Sequence, residues 1–179
     1  PTTADDAEIE SAAIAELENG AGAVVTSTGM SAVTLVLQLL TPADTLVAAH
    51  DCYGGTQRLL KALAGRGHFG LHLVDLTAPD ATSTITALRP RMVWIETPTN
   101  PLLKLIDIEA IATKAKKKKI LTVVDNTFAT PFLQNPLAFG ADIVVHSTTK
   151  YLGGHSDVVG GAVVTANQEL FDQVKFLQK

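Results

Sequence analysis

The sequence predicts an α/β domain of three layers built on a mostly parallel sheet. Short apolar runs rich in Val and Ile recur along the chain and alternate with longer segments of helical period, the pattern of βαβ units. The runs are apolar throughout rather than alternating with polar residues, as strands covered on both faces by helices are. Polar clusters follow the runs, where a parallel sheet gathers its ligands beyond the carboxyl ends of its strands.

A helix is predicted over residues 4–18, with Asp5 and Asp6 in its first turn and Asn19-Gly20 as its stop signal. A strand over 23–26 leads through Ser27-Thr28-Gly29-Met30 into a helix over 30–40. The next strand, 45–49, runs into His50-Asp51-Cys52-Tyr53-Gly54-Gly55 and a helix over 56–64. A strand at 71–74 follows; the stretch 80–89 is a weaker helix pattern because it is rich in β-branched residues. Strand 92–96 ends in Glu96-Thr97-Pro98-Thr99-Asn100-Pro101, and a helix over 108–118 precedes strand 121–124 and Asp125-Asn126-Thr127. Strand 142–146 runs into His146-Ser147-Thr148-Thr149-Lys150, and strand 161–165 and a helix over 168–179 close the chain. With no repeat and no low-complexity linker, residues 1–179 read as one domain.

Composition excludes several classes. At 179 residues, 46% hydrophobic and a net charge of -4, the chain has too much apolar content to stay disordered. The longest apolar stretch, near 33–40, is interrupted by Thr34 and Gln38 and falls short of the roughly 18 residues a membrane span needs. The 14 basic and 18 acidic side chains make no field that would collect nucleic acid or an anionic membrane. Lys114 and the lysines at 116–119 end a helix, where cations suit the dipole. The single cysteine, Cys52, makes no internal disulfide, so a soluble, cytoplasmic protein is expected. Because the chain opens on Pro1 and no targeting pattern follows, it reads as a trimmed piece.

Some motifs are decoys. Gly65-Arg66-Gly67-His68-Phe69-Gly70 matches a dinucleotide fingerprint but follows a helix and precedes a strand, so it reads as a helix-ending turn. His155-Ser156-Asp157 are sequence neighbours that project different ways and form no relay. His50, Asp51 and Cys52 lack a second ligand pair at metal spacing, so no metal is expected and Cys52 reads as a small packed side chain.

The chemistry centres on Asp125 and Lys150. An acid at the end of an apolar strand needs a cationic partner. That partner could be Lys150 in a plain ion pair. Alternatively, the acid faces the pyridinium nitrogen of pyridoxal 5'-phosphate (PLP) and Lys150 forms a Schiff base with its aldehyde. The rest of a cofactor cup has candidates: backbone donors at Gly29-Met30, where a helix opens after a strand, hydroxyls at Ser147, Thr148 and Thr149, and an aromatic face at Tyr53. Taken singly, each has a plainer reading: a surface lysine, a boundary aromatic, a helix-start glycine, a polar turn, a turn asparagine at Asn100, a strand-end threonine at Thr127.

These strings, together with Thr28-Gly29-Met30-Ser31-Ala32, Val124-Asp125-Asn126-Thr127-Phe128 and Lys150-Tyr151, resemble the Cys/Met metabolism family of PLP enzymes over nearly the whole chain. The resemblance implies the large cofactor-binding domain of fold-type I, aspartate aminotransferase-like enzymes. It implies that Lys150 is the Schiff-base lysine and proton shuttle, and that Asp125 keeps the pyridine nitrogen protonated. Tyr53 would stack on the ring and assist the leaving group, with Thr127 near the other face. Gly29, Met30, Ser147 and Thr149 would hold the phosphate, and Asn100 would lie near the substrate carboxylate. The strings 50–55 and 155–159 are most like the branch that joins an O-acylhomoserine and cysteine into cystathionine; branches performing γ-elimination or sulfhydrylation share most of them.

The family also implies small amino-acid substrates and a homo-oligomer, a homotetramer at full length. Pro1-Thr2 resembles the tail of an Asn-Pro-Thr motif, with the N-terminal arm and C-terminal domain of the family expected to be absent. Many relatives carry Asn where this chain has Gly153. A non-catalytic core fragment that only self-associates is the competing expectation, and a nucleotide-binding module, resting on fold analogy, is a third.

Overall fold

A computed structural model describes residues 4–179; Pro1-Thr2 lies outside them. In chain order the elements are α1 (Ala4–Leu17), β1 (Gly22–Thr26), α2 (Gly29–Leu37), β2 (Thr45–Ala49), α3 (Gly54–Gly65), β3 (Gly70–Val74), α4 (Ala81–Leu88), β4 (Met92–Glu96), α5 (Ile108–Lys117), β5 (Leu121–Asp125), α6 (Thr130–Leu133), β6 (Ile143–His146), β7 (Gly161–Thr165) and α7 (Gln168–Gln178). The expected strands and helices are all present. The one-turn α6 has no apolar period and was not legible. The weak 80–89 pattern is helical: Ala81 and Ile85 are buried, and Thr86 satisfies its hydroxyl on the Thr82 carbonyl at 3.0 Å, a local bond that lets β-branched residues stay in a helix.

The chain forms two compact units. The first comprises residues 4–39, Asn126–Ala138 and Asp142–Lys179. Its strands lie in the order β1-β7-β6, and β7 runs antiparallel to both neighbours. In the mostly parallel sheet expected, β7 is the exception. Residues 147–160 between β6 and β7 contain no helix, and without a crossover the chain returns antiparallel. Ile14 of α1 joins Ala23, Val144, Ala162 and Val164 in the core of this unit.

The second unit comprises Leu40–Asp125 and Phe139–Ala141, with parallel strands in the order β5-β4-β2-β3. Every residue of β4 is buried, and Trp94 is fully so. Helix α5 starts on Asp107, whose carboxylate accepts the Ala110 N–H at 2.9 Å, and buries Ile108, Ile111, Ala112 and Ala115, one stripe at helical spacing. Its last turn carries Lys114, Lys116 and Lys117, as the dipole reading expects. Strand β3 departs from the expectation of burial on both faces: it ends the strand order, and none of its residues is buried.

The glycine-rich decoy resolves as a helix terminus. Gly67, at φ +80°, donates to the Ala64 carbonyl at 2.9 Å while His68 donates to the Leu63 carbonyl at 3.1 Å, which is a Schellman turn closing α3. Asn19, at φ 56°, ends α1 in the same way. His155, Ser156 and Asp157 are all exposed in the β6–β7 connection.

Candidate active site

In the first unit, Gly29 and Ser147, two of the residues expected to hold a phosphate, meet at the start of α2. Thr28 caps this helix by accepting the Ser31 N–H at 2.9 Å, which leaves the following N–H groups at the positive end of the helix. Gly29 has a steric reason to be glycine: a Cβ there would lie 2.7 Å from Ser147 Cβ and 2.9 Å from Ser147 Oγ. The Ser147 side chain therefore rests directly against the helix start. The Ser147 N–H donates to Thr127 Oγ1 at 2.9 Å, so Gly29, Ser147 and Thr127 form one cluster. Met30 follows Gly29 and faces an open groove of about 1140 Å³ that Val25, Thr34, Val158 and Leu177 also line.

Thr149 is placed differently from Ser147. Its hydroxyl donates to the Gly160 carbonyl at 3.2 Å and accepts the Gly160 N–H at 3.1 Å, bracing the lysine loop against the start of β7. Lys150 is exposed on that loop; its N–H donates to the Ser147 carbonyl at 3.2 Å and its carbonyl accepts the Gly154 N–H at 2.9 Å. Gly153 sits so that a Cβ would lie 2.7 Å from the Thr148 carbonyl oxygen and 2.7 Å from Val158 Cγ2. The turn after Lys150 is thus shaped around glycine.

In the second unit, the acid, the aromatic and the asparagine gather at the carboxyl ends of β4 and β5. Glu96 and Asp125 are register partners on these parallel strands, so two carboxyl groups end adjacent strands side by side. Glu96 is 5% exposed. Its Oε2 accepts the Tyr53 N–H at 2.7 Å and its Oε1 the Asn100 N–H at 2.8 Å. Burial, then the charge of Asp125, push the Glu96 carboxyl up to about 8, against the pull of those two hydrogen bonds. Tyr53 is the first residue of the α3 turn and its ring side chain is exposed. Cys52 is buried, as expected, and its thiol is pushed up to about 12 by burial and by Glu96 and Asp125.

Sequence reasoning missed two features. Glu96 carries no expected role, although like Asp125 it is an acid ending an apolar strand. The other is a buried cluster in the first unit. Glu18 and His146 are both fully buried with Oε1 and Nε2 2.6 Å apart, and Asn126 donates to the same Oε1 at 2.7 Å. Gln134 in turn donates to Asn126 Oδ1 at 2.9 Å. Glu18 lies 128 residues from His146, so no local signal joins them.

The sequence profile of the Cys/Met metabolism PLP-dependent enzymes matches residues 5–179. The chain belongs to this family. It is 51% identical over 163 residues to cystathionine γ-synthase of Escherichia coli, covering 90% of this chain and 42% of that protein. It is 46% identical over 167 residues to cystathionine γ-lyase of Bacillus subtilis, covering 93% of this chain and 44% of that protein. The fold superposes with a TM-score of 0.93 and 56% identity on the crystal structure of cystathionine γ-synthase from Xanthomonas oryzae in complex with aminoacrylate and cysteine, over 95% of this chain and 44% of that one. The chain thus spans less than half the length of these relatives. The fold class is the expected α/β one of PLP enzymes, and the family is one of cysteine and methionine metabolism.

The residues present fit a PLP group by their own chemistry. One unit offers a helix N-terminus held bare by Gly29 beside a serine, and an exposed lysine on the same loop as that serine. The other offers two adjacent carboxyl groups, one raised to about 8 by burial and then by the other's charge, a setting that favours a cationic neighbour. No helix among the described residues is long and apolar enough to cross a membrane.

Proposed function

We propose that this chain is the cofactor-binding part of a PLP-dependent γ-replacement enzyme, which joins an O-acylhomoserine and cysteine into cystathionine. The observation that carries the cofactor reading is the packing of Ser147 against Gly29 at the start of α2: with no side chain at 29, Ser147 comes close enough to set its hydroxyl beside the helix N–H groups, the donor set a phosphate needs. Gly29, Met30 and Ser147 hold that phosphate, Thr149 keeps the loop in place, and Thr127 fixes the Ser147 backbone. Asp125 pairs with the protonated ring nitrogen, Tyr53 offers its ring face and Asn100 its amide. When bound, the cofactor serves as an electron sink for the substrate carbanion. Lys150 holds it covalently and moves the proton at the substrate Cα; its exposure leaves the amine accessible.

The branch rests on identity. The two synthases reported above share 51% and 56% of aligned residues, the lyase 46%. The lyase value is near enough that γ-elimination is the second reading. Exposed Phe132, Leu133 and Phe176 suit burial between copies of the chain, and a cytoplasmic homotetramer is the assembly we propose for the whole protein.

The test incubates the chain with PLP, reduces with borohydride and maps the label by mass spectrometry. The expected result is a pyridoxyl adduct on Lys150 that Lys150→Ala abolishes. Cystathionine formation from O-acylhomoserine and cysteine then separates replacement from elimination, which would release a 2-oxo acid and ammonia instead.

A further inference from the structure

We propose that Glu96 is a positioning residue: its single carboxylate ties the turn bearing Tyr53 to the turn bearing Asn100 by accepting one backbone N–H from each. The consequence for the cofactor rests on the reading above; the tie itself does not.

The two bonds use different oxygens, Oε2 for Tyr53 at 2.7 Å and Oε1 for Asn100 at 2.8 Å, so one side-chain conformation makes both. Bonds to an ionised acceptor are shorter and stronger than neutral ones, and at 5% exposure water has little access to replace either. The Tyr53 N–H is also an orphan donor of α3. Tyr53 occupies the cap position of that helix, and no side chain of the turn caps it. Glu96, arriving from β4, supplies the missing acceptor and, when ionised, sets negative charge at the positive end of α3. The direction in which α3 and Tyr53 leave the sheet is therefore set by a residue 43 positions away.

On the Asn100 side, the turn is already closed on itself. Thr97 Oγ1 accepts the Ile106 N–H at 2.9 Å, and the Thr99 N–H donates to the Lys104 carbonyl at 3.0 Å. The Asn100 N–H bond fastens this preformed turn to the end of β4. A protonated Glu96 keeps an acceptor lone pair on its O–H oxygen but accepts more weakly there, so both amides are held most strongly by the ionised form. The groups facing Glu96 are Asp125 on β5, the Cys52 thiol, and Asp51, which has Lys104 at 3.6 Å and His50 at 3.8 Å. The tie tightens as Glu96 ionises, and a cation beside Asp125 would favour that ionisation.

The first experiment needs no variant: the amide proton shifts of Tyr53 and Asn100 are followed by NMR across pH in the wild-type chain. Both should move with one shared midpoint, above the ordinary carboxylate range and near 8. Separate midpoints, or no movement, would overturn the proposal. In Glu96→Gln, whose side chain presents one acceptor and one donor, exchange of at least one of the two amides should quicken ten-fold or more while Val93 and Val123 keep wild-type rates. The PLP dissociation constant should rise ten-fold or more, with Glu96→Asp intermediate. Wild-type exchange at both amides with wild-type PLP affinity would refute the role of Glu96 and leave the cofactor reading standing. A wild-type chain that takes up no PLP would end the cofactor reading, and the amide shifts would still decide the tie.

Discussion

The two glutamates buried among the described residues, one in each unit, are accommodated in opposite ways. Glu18 is held through Oε1 by side chains of complementary character, a histidine at 2.6 Å and an asparagine at 2.7 Å, while its buried Oε2 makes no hydrogen bond. Glu96 is satisfied by two backbone N–H groups but has a second acid, Asp125, as its register partner. The first arrangement holds elements together: Glu18 follows α1, His146 ends β6, and Asn126 opens the segment that leads to α6. The second keeps an acid in conflict with its neighbour. Burying a carboxyl beside like charge is costly, and such conflicts concentrate where function needs a group ready to change charge or to pair with a cation. On that contrast, the first unit holds its loop rigid and the second holds its acids in tension.

The comparison predicts effects of graded size. The largest is Glu18→Ala, which strands the His146 imidazole and the Asn126 amide in a fully buried site. Removing one member of such a buried set costs about 3–5 kcal/mol, to be read from urea unfolding. A loss within 0.5 kcal/mol would mean the cluster is no keystone.

The next concerns pH. The Glu96 carboxyl is raised from 4.5 to about 8 in the native state. Between those values the folded chain keeps a proton that the unfolded chain has released, so stability falls as pH rises through that window. The slope contributed is at most about 1.4 kcal/mol per pH unit, the penalty is fully present above the upper value, and it is absent below the lower. Glu96→Gln should flatten that part of the profile, and an unchanged slope would break the contrast with Glu18. The smallest effect is Gly29→Ala, where the added methyl must displace Ser147 at a cost of about 1–3 kcal/mol. Its sharper signature is a weakened hold on inorganic phosphate or PLP. Equal affinity would remove the steric argument for the phosphate site.

How much was legible follows from the range over which each signal acts. Helix ends were readable because caps and Schellman turns are written within a few residues, as at Asn19 and Gly67. Asp125 and Lys150 stand out as candidates because an acid at a strand end and a lysine after a run of hydroxyls are local patterns. Glu96 was in plain view in its motif, yet its partners are amides, and backbone amides carry no sequence signature. The bracing role of Thr149 was hidden for the same reason.

Local patterns in the chain are enough for the alternation of strands and helices, the order of the polar clusters and the family. Each of these is set by periodicity, capping chemistry or a string of neighbouring residues. Long-range packing sets the rest: β7 returns antiparallel, β3 has no buried residue, Glu18 meets His146, and Glu96 joins two turns. These are pairings between residues far apart in the chain. Which of them form depends on the loop lengths and packed surfaces that bring them together, and no single segment encodes either.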